Sequence, residues 1–394
     1  MKKSFFSKIG EFVKNTDYIL LLLCIIASSF GILLVYSATL PTLEDGQIIS
    51  GEFKSMLIAV PAGIIASIII SAINSDWFAK FFYIIGAVSL LLMAVTLIFG
   101  VAPDLRQDSR CWLKFGSFYF QPSELVKIGF VITFAVHLET VKDRINSLLN
   151  VALLGVHALI PIALVVKTGD AGSALVFAVI VIGMLIAAGL HWLYFLVGAA
   201  GIVFVVPLAW KSSLIADFQK SRILSLFLYD EPEYVQNVAY QQNQAINAIG
   251  SGGWTGKGLF NGDFVQSGSI PEAKNDMILS VAGEELGFIG AFAVLAIITA
   301  IVIRIFIVSK KASNGYGKFM AIGIGTMIIG QTLINVGMCL RLFPVIGITL
   351  PFFSAGGSSN LCVYVAIGLV MSIWRTSRKN KSIDYFYKPI NYIK

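Results

Sequence analysis

Charged side chains are scarce in this chain of 394 residues. Lys, Arg, Asp and Glu make up 13% of it and hydrophobic residues 57%, with a mean hydropathy of +0.83. This composition is typical of polytopic membrane proteins and excludes one soluble core. The formal charge of +7 does not indicate nucleic-acid binding, because the basic residues crowd the ends of apolar segments.

Cysteine and histidine are also few. The three histidines and most of the cysteines lie in or beside apolar runs, so no disulfide framework is predicted. No His/Cys cluster has the spacing of a zinc site, which argues against a protein-built transition-metal centre. The sequence shows no convincing internal repeat of the kind that many transporters carry. The first apolar run is too long for a cleavable signal peptide and is expected to be a span.

Long apolar runs are abundant. A membrane-spanning helix needs roughly 20 apolar residues, and ten runs approach or exceed that length. The sequence therefore predicts an all-α polytopic membrane protein with ten transmembrane helices in a membrane domain over 18–374. The predicted spans are 18–39, 53–73, 77–101, 122–138, 148–166, 171–188, 192–210, 276–306, 318–340 and 350–374.

The distribution of Lys and Arg orients these spans. Basic clusters precede the first span, separate the eighth from the ninth, and follow the last. With ten spans all three clusters share one face, which is cytoplasmic by the positive-inside rule. Residues 1–17 and the basic tail 375–394 are thus predicted to be cytoplasmic in a multi-pass protein of the cytoplasmic membrane. The large loop 211–275, between helices seven and eight, is predicted to be extracytoplasmic, as is any chemistry.

The first candidate group lies at the start of the fourth span. Glu124 and Lys127 are three residues apart and share a helix face. They form either an internal ion pair or a site in which Lys127 points into a cavity toward an anion. Upstream, Arg110 beside Trp112 could bind a phosphate or anchor the chain at the interface.

The second candidate is Asp170, directly before the sixth span. Its position favours a plain N-cap for the following helix. A role in the site is the alternative interpretation.

The third candidate is the glycine-rich segment 250–258, which contains Lys257. Such a density of glycine could bring backbone amides close to an anion, or form a flexible surface loop. It is not a P-loop, because the spacing is wrong and no strand precedes it.

The fourth candidate is Asp276, which closes the polar segment 269–276 together with Glu272. A carboxylate at the mouth of a membrane helix can meet a substrate with a polar head and a lipid tail. We predict one helix from Asp276 onward that carries Glu284 and Glu285. Near the start of the tenth span, the glycines before Ser358 permit close approach of backbone to another helix or to a ligand.

Five segments of the chain form an ordered set, namely 121–127, 248–253, 271–276, 284–287 and 350–359. In this order they resemble the SEDS family (shape, elongation, division and sporulation proteins) of the RodA and FtsW type. The resemblance extends over nearly the whole chain, and the motif around 256–262 is closer to the RodA branch. Departures occur at residues 168–172, 275–277 and 354–357 and at Arg341, so a divergent, sporulation-linked paralogue is the alternative.

The resemblance implies a peptidoglycan glycosyltransferase that polymerises lipid II into glycan strands beside a class B penicillin-binding protein. Inversion at the sugar requires one base, for which Asp276 is expected, or else Asp276 binds a cation. Lys127 would orient this base or hold the pyrophosphate, whose charge Mg²⁺ or Mn²⁺ or basic side chains would neutralise. Further substrate-binding or cation-linked residues are expected to be Arg110, Glu124, Asp170, Lys257, Glu272 and Ser358.

Two other functions fit a chain of this kind. A flippase or transporter of lipid-linked precursor would place charged residues near the bilayer midplane and break its helices there. A non-catalytic scaffold for a penicillin-binding protein would leave Asp276 without a purpose. The charged candidates cluster at the outer surface, which favours catalysis.

Overall fold

The computed structural model describes residues 10, 12–43, 46–102, 109–116, 118–211, 217–228, 231 and 239–387. Parts of the predicted termini and of the loop 211–275 lie outside these residues. The α-helices described here are α1 (Tyr18–Thr39), α2 (Gly51–Ala72), α3 (Ser75–Lys80), α4 (Phe82–Phe99), α5 (Pro122–Val141), α6 (Leu148–Lys167), α7 (Ala171–Ala188), α8 (Trp192–Lys211), α9 (Asp217–Leu224), α10 (Tyr240–Gly252), α11 (Asp263–Gln266), α12 (Ile278–Glu285), α13 (Gly287–Lys311), α14 (Gly315–Cys339) and α15 (Gly357–Tyr387).

The all-α prediction is confirmed. The described strands are the short antiparallel pair β1 (Leu113–Phe115) and β2 (Phe118–Phe120), in the register Leu113↔Phe120. Eight described helices are long and apolar enough to cross a bilayer, so the chain is a multi-pass membrane protein. Helices α5 and α8 cover the other two predicted spans, and the count of ten stays a prediction.

Helices α14 and α15 form the centre of the bundle. Of the residues in the apolar membrane-spanning stretch of each helix, 78% are buried in α15 and 67% in α14, compared with 11% in α4. Helix α15 packs along α2, while α14 packs against α5, α7 and α13. Side chains on α14 and α15 are therefore placed to contact several other helices at once.

The predicted single helix over 276–306 is wrong. The chain forms α12 and α13 instead, separated at Leu286, and Gly287 adopts a φ of +68°. A Cβ at Gly287 would lie 2.3 Å from the nitrogen of Gly256, so the glycine-rich segment packs directly against the break. Hydropathy detects the apolar run but not the break within it.

The glycine-rich segment satisfies the backbone groups that the break exposes. The amides of Lys257 and Gly258 donate to the carbonyls of Glu284 and Glu285 at 3.0 and 2.9 Å, and Phe288 N donates to Gly253 O at 2.8 Å. Two amides that were candidates for an anion nest are thus bonded to carbonyls. The segment therefore stabilises the helix at its break.

Two other predicted boundaries also change. The predicted third span is divided at Phe81 into α3 and α4. The predicted tenth span begins at Gly357 rather than at residue 350, because Phe352 has a φ of +70° that a helix cannot contain. The segment 350–356 is therefore non-helical and lies at the same end of the bundle as Asp276.

Candidate active site

Glu124 and Lys127 form an ion pair inside the protein. Lys127 Nζ lies 2.7 Å from Glu124 Oε1, and the two side chains are 0% and 5% exposed. Gln331 Nε2 on α14 donates to the other carboxylate oxygen of Glu124 at 3.4 Å. Of the two interpretations of this spacing, the structure has the internal pair.

Asp170 joins the first turn of α5 to the start of α7. Its Oδ1 accepts a hydrogen bond from Ser173 N at 3.0 Å, which confirms the predicted N-cap. Its Oδ2 accepts from Gln121 Nε2 at 2.8 Å and from Ser123 Oγ at 2.7 Å. Ser358 Oγ accepts a hydrogen bond from Gln121 N at 3.4 Å. The start of α5, Asp170 and Ser358 are therefore joined by hydrogen bonds at one place.

Asp276 lies in a turn whose backbone is fixed by three hydrogen bonds. The carbonyls of residues 274–276 accept, in order, from Ala355 N at 2.8 Å, Ser354 Oγ at 2.6 Å and Asn335 Nδ2 at 2.8 Å. The side chain of Asp276 is half-buried. The backbone of the turn is thus held rigidly while its side chain retains exposed surface.

Helix α14 connects the ion pair with Asp276. Gln331, which contacts Glu124, and Asn335, which contacts the Asp276 carbonyl, are four residues apart on α14. Residues at this spacing lie on one helix face about 6 Å apart along the axis. The buried pair and Asp276 are thus brought to one side of α14.

Gln331 and Asn335 are absent from the set of residues predicted from sequence. Asn335 Nδ2 also donates to Ile348 O at 2.8 Å, so this one amide holds two loop segments. The available signal was the presence of amide side chains within an apolar span, which are rare and commonly functional.

Lys257 is the counter-ion of a buried carboxylate. Its Nζ lies 2.9 Å from Glu284 Oε1 and 2.8 Å from Asp263 Oδ2. These hydrogen bonds, first to Asp263 and then to Glu284, raise the pKa of Lys257 above its usual range. The contacts brace the loop, and a phosphate contact by Lys257 stays a prediction.

Glu284 and Glu285 anchor the segment 253–277 to the bundle, and both are fully buried. Glu284 accepts from the amides of Phe264 and Val265 at 2.9 Å each. Glu285 Oε1 accepts from Ser37 Oγ at 2.5 Å on α1. These two carboxylates thus have structural partners of their own.

The remaining predicted residues lie in loops between the helices. Glu272 has a φ of +53°, and one of its carboxylate oxygens accepts from Asn275 Nδ2 at 2.5 Å. Arg110 is exposed just before β1. Both lie in non-helical segments, and their predicted roles in substrate binding stay predictions.

The donor set does not form a cage for a divalent cation. Within the described residues, no group of three or more His, Cys, Asp or Glu side chains could hold a metal ion. Glu124 is engaged by Lys127, and Asp170 is engaged by amide and hydroxyl donors. These residues do not fit the expected Mg²⁺ or Mn²⁺ as a protein-built site.

Comparison with known proteins gives matches along most of the chain. A probable peptidoglycan glycosyltransferase FtsW from Trichlorobacter lovleyi is 33% identical over 364 residues, covering 91% of this chain and 92% of the relative. The peptidoglycan glycosyltransferase MrdB of Escherichia coli K12 is 30% identical over 88% of this chain and 91% of its own.

Solved structures match the fold. A chain from a peptidoglycan synthase complex that coordinates polymerization and crosslinking has a TM-score of 0.77 and 25% identity, covering 92% of this chain and 98% of that one. The rod shape determining protein RodA of Thermus thermophilus has a TM-score of 0.67 and 24% identity, with 91% and 97% covered. The family model described as "Cell cycle protein" matches residues 17–379. The chain therefore belongs to the FtsW/RodA/SpoVE family, as the resemblance in its sequence predicted.

Proposed function

We propose that this chain polymerises lipid II into glycan strands on the outer face of the cytoplasmic membrane. Its curated relatives are peptidoglycan glycosyltransferases, and the chain, which matches them over about nine-tenths of its length, is a peptidoglycan glycosyltransferase as well. FtsW and MrdB relatives match at similar identity, so assignment to the elongation branch stays a prediction. The Lys and Arg clusters support cytoplasmic termini.

The difference in burial between Asp276 and four other candidate carboxylates carries the proposal. Glu124, Asp170, Glu284 and Glu285 are buried inside the bundle. Asp276 is half-buried on a fixed turn at the outer end of the bundle. A general base must come within hydrogen-bond reach of the proton that it removes, and Asp276 meets this requirement best.

The proposed reaction is one inverting displacement. The carboxylate of Asp276 accepts the proton of the acceptor sugar 4-hydroxyl, and that oxygen attacks the anomeric carbon of the donor. The bond from this carbon to the undecaprenyl pyrophosphate breaks, and the pyrophosphate leaves with the electron pair. Its negative charge must be neutralised as the bond breaks.

We assign neutralisation of the pyrophosphate's negative charge to basic side chains. Arg110 is exposed in the outer loop and is free to turn toward a pyrophosphate. Lys127 lies beneath the site and is held by Glu124, so it acts on the site through the charge and position of this pair. Mg²⁺ or Mn²⁺ is proposed to arrive with the substrate's pyrophosphate, since the described carboxylates form no cage for it.

A class B penicillin-binding protein is the proposed partner. The solved chain with a TM-score of 0.77 belongs to a peptidoglycan synthase complex that coordinates polymerization and crosslinking. A polymerase releases uncrosslinked strands, so a crosslinking enzyme beside it would consume its product. The remaining proposed contacts are the lipid-linked glycan strand and the membrane lipids.

The test is polymerisation of lipid II by the purified chain with its cognate partner and a divalent cation. Asp276→Asn keeps the shape of the side chain and is expected to lower the rate by about 10²–10⁴-fold, the usual contribution of a general base. Asp217→Asn on α9 is the matched control, because that carboxylate is 99% exposed on a separate outer helix. Both variants must first be shown to fold and to bind the partner.

Each outcome has a distinct meaning. Equal synthesis by wild type and Asp276→Asn would show that Asp276 is not the base. Absence of synthesis by a folded, partner-bound wild type would instead favour the flippase or the scaffold. Loss of synthesis in both Asp276→Asn and Asp217→Asn would indicate a general effect of removing a negative charge from this face of the protein.

A further inference from the structure

An indole near the middle of α15 carries a buried hydrogen-bond donor without an acceptor among the described residues. Trp374 is 6% exposed, and its Nε1 has no hydrogen-bond partner among the residues that the structure describes. Buried donors are nearly always bonded to protein, water or a ligand. The Nε1–H group therefore has a hydrogen bond to offer to an acceptor outside the described residues.

Three cations surround the same ring. Arg304 Cζ, Lys311 Nζ and Arg378 Cζ lie 4.7, 5.2 and 4.9 Å from the ring centroid of Trp374. Asp17 neutralises Arg304 through paired hydrogen bonds of 2.9–3.1 Å. Lys311 and Arg378 form no salt bridge in the described part of the chain, so among those residues two positive charges around the indole have no acidic partner.

The cluster lies at the level of lipid headgroups. Arg304 is 17 residues after Gly287 in α13, and Trp374 is 17 residues after Gly357 in α15. At about 1.5 Å per residue both lie about 26 Å from the outer ends of their helices, close to the hydrocarbon thickness of about 30 Å. This is the end of the bundle opposite to Asp276.

We infer that Trp374, Lys311 and Arg378 bind the phosphate of an anionic phospholipid in the cytoplasmic leaflet. The phosphate oxygens accept from the indole N–H and from the two cations, and the net negative charge of the lipid offsets part of their positive charge. Basic pockets between membrane helices on this side bind anionic headgroups, to which the cytoplasmic surface potential adds. The bound lipid would hold the end of α13 against α15, away from the catalytic face.

The test is the thermal unfolding midpoint of the full chain in an uncharged detergent. The protein is titrated separately with phosphatidylglycerol, with phosphatidylcholine of the same chain length and with inorganic phosphate. Phosphatidylglycerol is expected to raise the midpoint and phosphatidylcholine is not. Stabilisation by inorganic phosphate as well would assign recognition to the phosphate group alone, and its absence would assign it to the lipid headgroup.

Variants separate a built site from surface charge. Trp374→Phe keeps an aromatic ring but removes the N–H, and Lys311→Gln removes one cation. Each is expected to weaken the apparent affinity for phosphatidylglycerol about tenfold. Lys310→Gln, with an equal loss of charge at the neighbouring exposed position, is expected to change it less than about twofold.

The inference fails in three cases. It is overturned if Lys310→Gln weakens binding as much as Lys311→Gln, because general surface charge then explains the effect. It is also overturned if Trp374→Phe binds phosphatidylglycerol like wild type, or if phosphatidylglycerol stabilises no more than phosphatidylcholine.

Discussion

Replacing Lys127 by Met tests the buried ion pair directly. At the 2.7 Å separation of Lys127 Nζ and Glu124 Oε1, the attraction is about 6 kcal/mol for an effective dielectric constant of about 20. Desolvation of two buried ions offsets much of this attraction. Removing the ammonium alone leaves Glu124 buried without a counter-ion, and we expect a loss of about 3–5 kcal/mol in the free energy of unfolding.

The double variant Glu124→Gln/Lys127→Met removes both charges and is expected to be more stable than Lys127→Met. The measurement is equilibrium unfolding in detergent of wild type, both single variants and the double variant. A coupling free energy of about 3 kcal/mol or more is expected from this cycle. Coupling within about 0.5 kcal/mol, as for independent sites, would refute the pair and favour the interpretation that Lys127 serves an anion.

The same four proteins separate a positioning role from a substrate contact. If the pair only fixes the first turn of α5, the double variant regains glycan synthesis together with stability. If the Lys127 ammonium acts on the substrate's pyrophosphate, the double variant is stable but inactive. Rates measured at saturating and limiting lipid II then show whether binding or turnover is lost.

Three further variants test the elements around the site. Asn335→Ala removes the donor to the carbonyls of Asp276 and Ile348. We expect a loss of about 1–3 kcal/mol in the free energy of unfolding for each carbonyl, measured by equilibrium unfolding. Glycan synthesis from lipid II should also be reduced. Gly287→Ala places a Cβ 2.3 Å from a backbone nitrogen at a φ of +68°, and the free energy of unfolding should fall by more than about 1 kcal/mol. Gly155→Ala is the control, because a Cβ there has nothing within 4 Å, and it should be neutral or stabilising. Asp170→Ala should cost more than the about 1–2 kcal/mol of an N-cap alone, and a cost no larger than that would contradict its bonds from Gln121 and Ser123.

Hydropathy and spacing predicted the parts of the molecule that depend on local sequence. Apolar length predicted the helices, and the i,i+3 spacing of Glu124 and Lys127 predicted a shared face. The position of Asp170 before an apolar run predicted its N-cap. Each of these features is determined within one or two turns of helix, so the sequence pattern alone was sufficient.

Contacts between distant segments were not predictable in this way. The break before Gly287 depends on the glycine-rich segment that packs against it, and hydropathy carries no information about this contact. The bonds from Gln331 and Asn335 to Glu124 and to the Asp276 carbonyl depend on the packing of α14. They join residues 207 and 59 positions apart, so only the tertiary structure brings them together.

Backbone strain supports a functional site at the end of the bundle that carries Asp276, independently of any motif. Among the described residues, positive φ at non-glycine positions occurs at Phe260, Glu272, Arg341 and Phe352. All four lie outside the helices, in the segments 253–277 and 340–356, which are joined by the bonds that fix the turn of Asp276. Such conformations cost about 1–3 kcal/mol each, persist only where the surroundings enforce them, and cluster at functional sites. A scaffold would gain nothing from maintaining this strain around one half-buried carboxylate, whereas a catalyst needs that carboxylate held in position.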